Sequence, residues 1–439
     1  FLGQGDMNGI KAPGYLFTFG QFDDNTLDEF KEKKWLVTDS TLVNYALLSK
    51  TSDLDIRVNL EPFAGFKIEL NAKRYDAKST RVEYFGMNET FSGSFNITAM
   101  AIGTAFSPIG NADNNYYSKL FDKMLSNRQI IANRLNARLV NERYPNAGFM
   151  AKESFKDKTY DPTRGSYSLN SSDVLIPAFL SAYTGGDASS VNTNPFLDIL
   201  RMLPNWRVTY DGLSKIGFFK DNFQSITLTH AYTCRYSIGN YSSYSNWVAL
   251  GDNSQVGFMA DTQDGEKAIP TSPYNITDVS LSEQFAPLLG VNVAMKNSMT
   301  AKAEYRKQRN LVLNMSSTQL VESTADEYVL GLGYLLKDFD VILKLKSDQQ
   351  QKIKNDLKLS ADLSLKDVKS LLRKVEENIT QASSGSKVLS FKFMADYVFS
   401  SKLNIQLFYD RQSSTPLFSS SSPFSSPNFG LSFKLLRTR

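Results

Sequence analysis

Lys387–Gln412 reads KVLSFKFMADYVFSSKLNIQLFYDRQ. Leu389, Phe391, Phe393, Ala395, Tyr397 and Phe399 are apolar, while Ser390, Lys392, Asp396 and Ser400 between them are polar. A period of two places one set on each side of an extended chain. After Ser400, Ser401 and Lys402 the alternation resumes, with Leu403, Ile405, Leu407 and Tyr409 against Asn404, Gln406 and Asp410. Two such runs joined by a short polar turn predict a hairpin with one apolar face. Periodicity is the same for the inner face of a soluble sandwich and the lipid face of a membrane barrel, so run length and repetition must decide.

The pattern recurs along the chain. Leu54, Ile56, Val58 and Leu60 alternate with Asp55, Arg57, Asn59 and Glu61; after a turn at PFAG, Phe66, Ile68, Leu70 and Ala72 alternate with Lys67, Glu69, Asn71 and Lys73. Further runs lie near 79–85, 94–106 and 223–238. The second half adds 291–295, 300–306, 328–336, 340–346 and 356–366. Runs of about 9–11 residues suit a tilted bilayer-crossing strand and exceed the roughly 5–6 of soluble sheets. Charge at alternate positions, as in Lys302, Glu304 and Arg306 against Ala301, Ala303 and Tyr305, suits a water-filled lumen. The expected fold is all-β: a transmembrane antiparallel β-barrel with a helical and irregular insertion. Leu54, Ile56, Val58, Leu60, Phe66, Ile68, Leu70, Leu389, Phe391, Phe393, Tyr397, Leu403, Ile405 and Leu407 are expected to face lipid. Lys67, Glu69, Asn71, Lys73, Lys302, Glu304, Arg306, Lys392 and Asp396 are expected to face the lumen. The competing fold is an amphipathic soluble sheet with a solvated outer face.

The insertion begins where alternation stops. Within 111–140, Tyr117, Leu120, Phe121, Met124, Leu125, Ile131 and Leu135 recur at helical spacing. From there to about Trp206 the text is loop-like, with a short apolar run, DVLIPAFLSAY, at Asp173. The chain thus divides into strands and hairpins over 1–106, an insertion over 107–206 expected to cap, plug or dock, and strands with long loops over 207–439. DGEKAIPTSPYN at 264–275 reads as a smaller loop. SSTPLFSSSSPFSSPN at 413–428 reads as a low-complexity loop before a last strand at Phe429, Leu431, Phe433 and Leu435.

Composition excludes several classes. In 439 residues, 49 Lys and Arg face 45 Asp and Glu, a net charge of +4, and the basic residues are dispersed. No basic stripe marks a nucleic-acid binder. A single cysteine, Cys234, rules out an intrachain disulfide framework and predicts a packed, inert thiol. No apolar run approaches the roughly 20 residues of a membrane helix. No signal peptide is visible, and the start at Phe1-Leu2-Gly3 suggests a processed or truncated chain.

Catalytic chemistry is not visible. The one histidine, His230, shares strand parity with Cys234, but four positions along a strand is about 13 Å, too far to share a metal. No nucleophile elbow surrounds it, so a structural role is expected. Asp23-Asp24 and the acidic run at 261–266 lack calcium-loop spacing. GLGYLL at Gly331 sits inside a strand with no following helix, so its glycines are expected to allow close packing rather than to cradle phosphate. The expectation is a non-enzyme without catalytic residue, cofactor or metal.

Several phrases resemble one family: DVLIPAFLSAYTGGD at Asp173, NPFLDILRMLPNWRVTYDGLSKI at Asn194, NDLKLSADLSLKDVKSLLRKV at Asn355, and the opening hairpin through DRQSSTPL. They look like the C-terminal part of the SprA/Sov family, the outer-membrane translocon of the Bacteroidetes type IX secretion system, associated with gliding motility. The resemblance runs from about Leu54 onward. It implies part of a very large β-barrel in the cell outer membrane, whose wide polar interior passes folded cargo with C-terminal signals to the surface. It also implies a PorV-like shuttle barrel, a periplasmic plug protein, secreted cargo proteins and outer-membrane lipid as partners, with no catalytic residue. Family members are several times longer, so this chain would supply only some of the strands, and it ends in KLLRTR rather than on an aromatic residue. The alternatives are a self-contained porin or lipid-uptake barrel and, from another class, a soluble β-rich surface adhesin or glycan-binding protein. Short turns such as Ser400 to Lys402 are expected on the periplasmic side.

Overall fold

Among the described residues the alternating runs pair into one antiparallel sheet of 13 strands in the computed structural model. The structure describes residues 5–7, 10–12, 30, 32, 45–83, 88–251, 255–344, 350–400, 402–418 and 422–435. The strands are β1 (Tyr45–Phe63), β2 (Phe66–Glu83), β3 (Asn88–Thr98), β4 (Asn205–Tyr210), β5 (Phe223–Ser243), β9 (Tyr274–Ile276), β10 (Asp278–Met295), β11 (Met299–Asn314), β12 (Gln319–Lys344), β13 (Gln350–Lys374), β14 (Ile379–Ser400), β15 (Leu403–Pro416) and β16 (Phe424–Leu435). From β10 to β16 each strand pairs with the next in sequence. Beyond β10 come β5, then β3 and β4, then β2 and β1. Among the described residues no ladder joins β1 to β16, the two ends of this path.

The strands are longer than the runs that announce them. The runs at 328–336 and 340–346 belong to one strand of 26 residues, as far as Lys344; residues 345 and 346 lie outside the described set. A register shift between Leu336 and Phe339 explains the apparent break. The apolar positions move there from even to odd numbers, as one extra residue in a bulge requires. The run at 79–85 continues β2, which the structure follows to Glu83. Of the Ser/Pro-rich stretch expected as a loop, 413–416 and 424–428 are strand, with Ser413 opposite Ser425 and Arg411 opposite Pro427, while 419–421 lie outside the described residues. β16 ends the strand path, so the missing N–H of Pro427 is tolerated there. At the β1–β2 turn Gly65 adopts φ +82°, and a Cβ there would lie 2.3 Å from Asp211 Oδ1.

The run at 94–106 stops at Thr98, and its end defines the architecture. β3 pairs with Arg74 to Glu83 of β2, and β4 pairs with Phe66 to Asn71 of the same strand in the same sense. Both also pair with β5. They are two halves of one strand, and residues 99–204 leave the sheet and return within a gap of a single position, opposite Ala72. Leu203 N donates to Thr98 O across the gap at 3.3 Å.

The insertion has its own core. Helix α1 (Lys119–Leu139) begins at Ser118, whose hydroxyl accepts from Phe121 N, and buries Phe121, Met124, Ile131 and Leu135. Helix α2 (Ser172–Tyr183) is the DVLIPAFLSAY run, buried on every side. Asn127 of α1 donates to Ser181 of α2 at 2.8 Å. Short strands β6 (Val248–Ala249), β7 (Gly257–Ala260) and β8 (Ala268–Thr271) form a small sheet beside it, so part of the loop expected at 264–275 is strand. The short helix α3 (Gly217–Asn222) links β4 to β5. No helix among the described residues is long and apolar enough to cross a membrane.

Candidate functional site

Two neighbouring register rows show how the sheet is sided. Val293, Ala301, Leu332, Ala361, Phe393, Tyr409 and Phe429 stand opposite one another across β10 to β16. One residue along each strand, the row reads Asn292, Lys302, Gly331, Asp362, Lys392, Asp410 and Asn428. Opposed residues share a face and adjacent residues take opposite ones, so one side is apolar and the other polar. All fourteen positions expected to meet lipid fall on the apolar side, and all nine expected to line a lumen fall on the polar side. The apolar side is uncovered here: Leu332 is 62% exposed and Phe429 79%.

This belt runs obliquely. The row that begins in it at Val58 passes Leu70, Trp206, Tyr232 and Phe285, then turns polar at Lys307, Asp326, Asp367 and Lys387 before reaching Thr415. On β1 the belt is centred near Arg57, and on β15 near Gln406. Its centre therefore shifts by about ten residues over nine strand steps, roughly 33 Å along the strands against roughly 43 Å across them. The strands are inclined to the belt's normal by about 37°.

On the polar side several of the charges are paired. Glu304 takes Lys302 at 3.0 Å and Arg306 Nε at 3.0 Å, and Arg306 also reaches Glu327 at 3.5 Å. Ser364 donates to Glu327 at 2.7 Å. Asp55 holds Arg57 and Asn71 at 2.8 and 3.0 Å, and Lys73 pairs with Asp53 at 3.3 Å. Where β10 shifts register between Phe285 and Leu289, an open cleft of about 370 Å³ is lined by Arg207, Thr229, Glu304, Arg306, Glu327 and Lys366. Gly331 leaves room for Asp362, whose Oδ1 lies 2.7 Å from where a Cβ would stand.

Above the belt, the insertion seals the apolar side. Phe95, Ile97, Tyr236, Leu281, Leu311 and Leu320 of the sheet join one buried cluster with α1 and α2. Two buried ion pairs stand in this contact. Arg309 pairs with Glu283 at 2.8 Å and donates to Thr104 O at 2.8 Å. Arg373 pairs with Glu322 at 2.7 Å and donates to the carbonyls of Tyr116 and Ile109 at 2.9 and 3.0 Å. Tyr232 completes the first pair, donating to Glu283 at 2.6 Å and accepting from Ala101 N at 2.8 Å. Sequence reasoning missed these four residues. Their signal is parity, since Glu283, Arg309, Glu322 and Arg373 occupy the apolar phase of their strands.

The remaining candidates are placed as follows. His230 Nδ1 lies 2.6 Å from Leu288 O, which makes Nδ1 the protonated nitrogen, and the ring lies beside Trp206 and Phe285. Cys234 is buried beneath the insertion. The acidic run at 261–266 bonds to its own backbone, Asp261 to Gln263 N and Asp264 to Glu266 N; Asp23 and Asp24 lie outside the described residues. Among the described residues no cluster of His, Cys, Asp or Glu is placed to hold a metal. Inside the insertion, burial pushes the Tyr160 phenol up to about 12. Burial also raises the Asp173 carboxyl, although Ser272 N and Thr271 Oγ1 donate to it at 3.1 and 3.0 Å. No protein-family model matches the chain, and no curated protein matches it.

Proposed function

We propose that this sheet is part of the wall of an outer-membrane β-barrel, and that the barrel is a passive conduit for folded secreted proteins. The observation that carries the membrane part is the exposed belt and its obliquity. A soluble sheet covers its apolar face with a second layer. Here the belt is bare, and its inclination falls in the 35–45° range of barrel strands. Lipid would cover it, while the paired charges of the other side face water.

The conduit part rests on three supports. Strand edges exposed to hydrocarbon are untenable, so a strand path left open among the described residues supports further strands and a wider barrel. The polar side pairs several of its charges, which weakens adhesion to passing protein there. The resemblance set out above points the same way, to type IX secretion of cargo bearing C-terminal signals. The turns at Gly65 and Lys296 lie at one end of the strands, while the insertion and residues 244–251 and 255–277 rise at the other, beside the tight turns at 315–318 and 375–378; the end without the insertion is the one we assign to the periplasm. The insertion stands on the belt's side of the sheet. That placement supports a docking element outside the wall at the cell surface rather than a plug in the lumen, and a PorV-like shuttle barrel is the partner we assign to it.

Cargo cross-linking tests the conduit. With photo-cross-linking residues introduced at Lys392 or Phe393, one position apart on β14, cargo adducts are expected from position 392 and not from 393. Cargo adducts from neither position, in cells actively secreting, would sink the proposal.

A further inference from the structure

The insertion rejoins the sheet through a turn whose exposure the core does not explain. Leu197 and Met202 pack against the buried cluster, and Leu203 N is tied to Thr98 O. Between them Ile199–Arg201 forms a 3-10 turn that turns its apolar side chains outward. Leu200 is 96% exposed and Ile199 56%. The turn is held, not loose: Arg201 N donates to Asp198 O at 2.9 Å and Met202 N to Ile199 O at 3.0 Å.

Its height on the sheet gives this exposure a meaning. Thr98 Oγ1 accepts from Lys73 N, and Lys73 stands opposite Asp55, between Leu54 and Ile56 at the upper end of the belt. The turn also lies on the belt's side, because Leu197 and Met202 join the cluster that covers that side. Arg201, beside Leu200, is exposed.

We infer that Ile199–Leu203 is a membrane foot of the insertion. Leu200 and Ile199 enter the acyl region at the border of the outer leaflet, and the Arg201 guanidinium meets a headgroup phosphate, the division of labour of an interfacial anchor. The inference rests on the membrane reading of the belt. It extends that reading to the insertion, which is then fixed to the bilayer as well as to the sheet.

Lipid quenching separates the two. The protein would carry Leu200→Cys, Leu332→Cys or Lys302→Cys, each labelled with a bimane fluorophore, Cys234 being buried. It would be reconstituted in phosphatidylethanolamine–phosphatidylglycerol vesicles with and without doxyl-labelled lipid. Quenching at position 200 is expected to be comparable to that at 332, with a shallow doxyl group most effective, and several-fold stronger than at 302. Quenching at 332 with none at 200 would overturn the foot and leave the membrane wall standing. Quenching at neither would overturn both.

Discussion

Leu332 and Leu311 stand on the same side of neighbouring strands, yet the first is 62% exposed and the second fully buried. The difference is what lies above each. Leu311 belongs to the upper zone, where helices and loops of the insertion close over the sheet as in any soluble core. Leu332 belongs to the belt, where the protein supplies no cover. One face thus handles apolar surface in two ways, and the boundary between them is the polar stretch of the oblique row, Lys307 to Lys387. A single strand crosses from one solvent regime to another without changing its period.

The buried ion pairs are the sharpest contrast with the belt, and they predict the largest effect. Arg373 is completely buried, as is its partner Glu322. Arg373→Met leaves that carboxylate uncompensated and removes two bonds to the insertion's entry loop. A loss of about 3–5 kcal/mol is expected in the unfolding of the insertion. Arg373→Met with Glu322→Leu should recover part of it, since the carboxylate is no longer stranded while the carbonyls of Tyr116 and Ile109 still lack their donor. If urea unfolding showed the single change to be silent, the Arg373–Glu322 pair would not hold the insertion to the sheet.

The belt predicts the next largest effect. Leu332→Arg should destabilise the folded protein in lipid vesicles by about 2–4 kcal/mol, as a cation at mid-bilayer depth does. Thr300→Arg, on the polar side of the adjacent strand, should change stability little. In water an exposed leucine tolerates arginine, so equal small effects at both sites would mean that both faces are wet. The comparison between belt and upper zone would then dissolve.

The belt was legible in the sequence because its physics is local. Alternation at Leu54–Leu60 or Leu389–Tyr397 needs no knowledge of partners, only the period of an extended chain. The upper zone was not legible, for three separate reasons. α2 is apolar on every side, so DVLIPAFLSAY carries no stripe of period 3.6. The halves β3 and β4 lie more than a hundred residues apart, and nothing in SGSFNIT or NWRVTY marks them as one strand. Glu283, Arg309, Glu322 and Arg373 interrupt the apolar phase of their strands, a visible signal that acquires meaning only when the insertion's carbonyls are placed over them.

The smallest predicted effect tests how dry the insertion's own core is. Asp173 opens α2, where the helix N-terminus favours a carboxylate, and it accepts from Thr271 and Ser272. Desolvation nevertheless outweighs these partners and raises its pKa above the ordinary value of 3.8. A carboxyl whose folded pKa is raised contributes stability that is complete below the unfolded pKa and is lost as pH rises through the folded one. Asparagine keeps an oxygen acceptor for both donors but cannot ionise. The urea stability of the wild type relative to Asp173→Asn should therefore decline from about pH 4 upward. A difference that stayed constant with pH would show that Asp173 is solvated, and that the seam between α2 and β8 is wetter than the seat on the sheet beneath it.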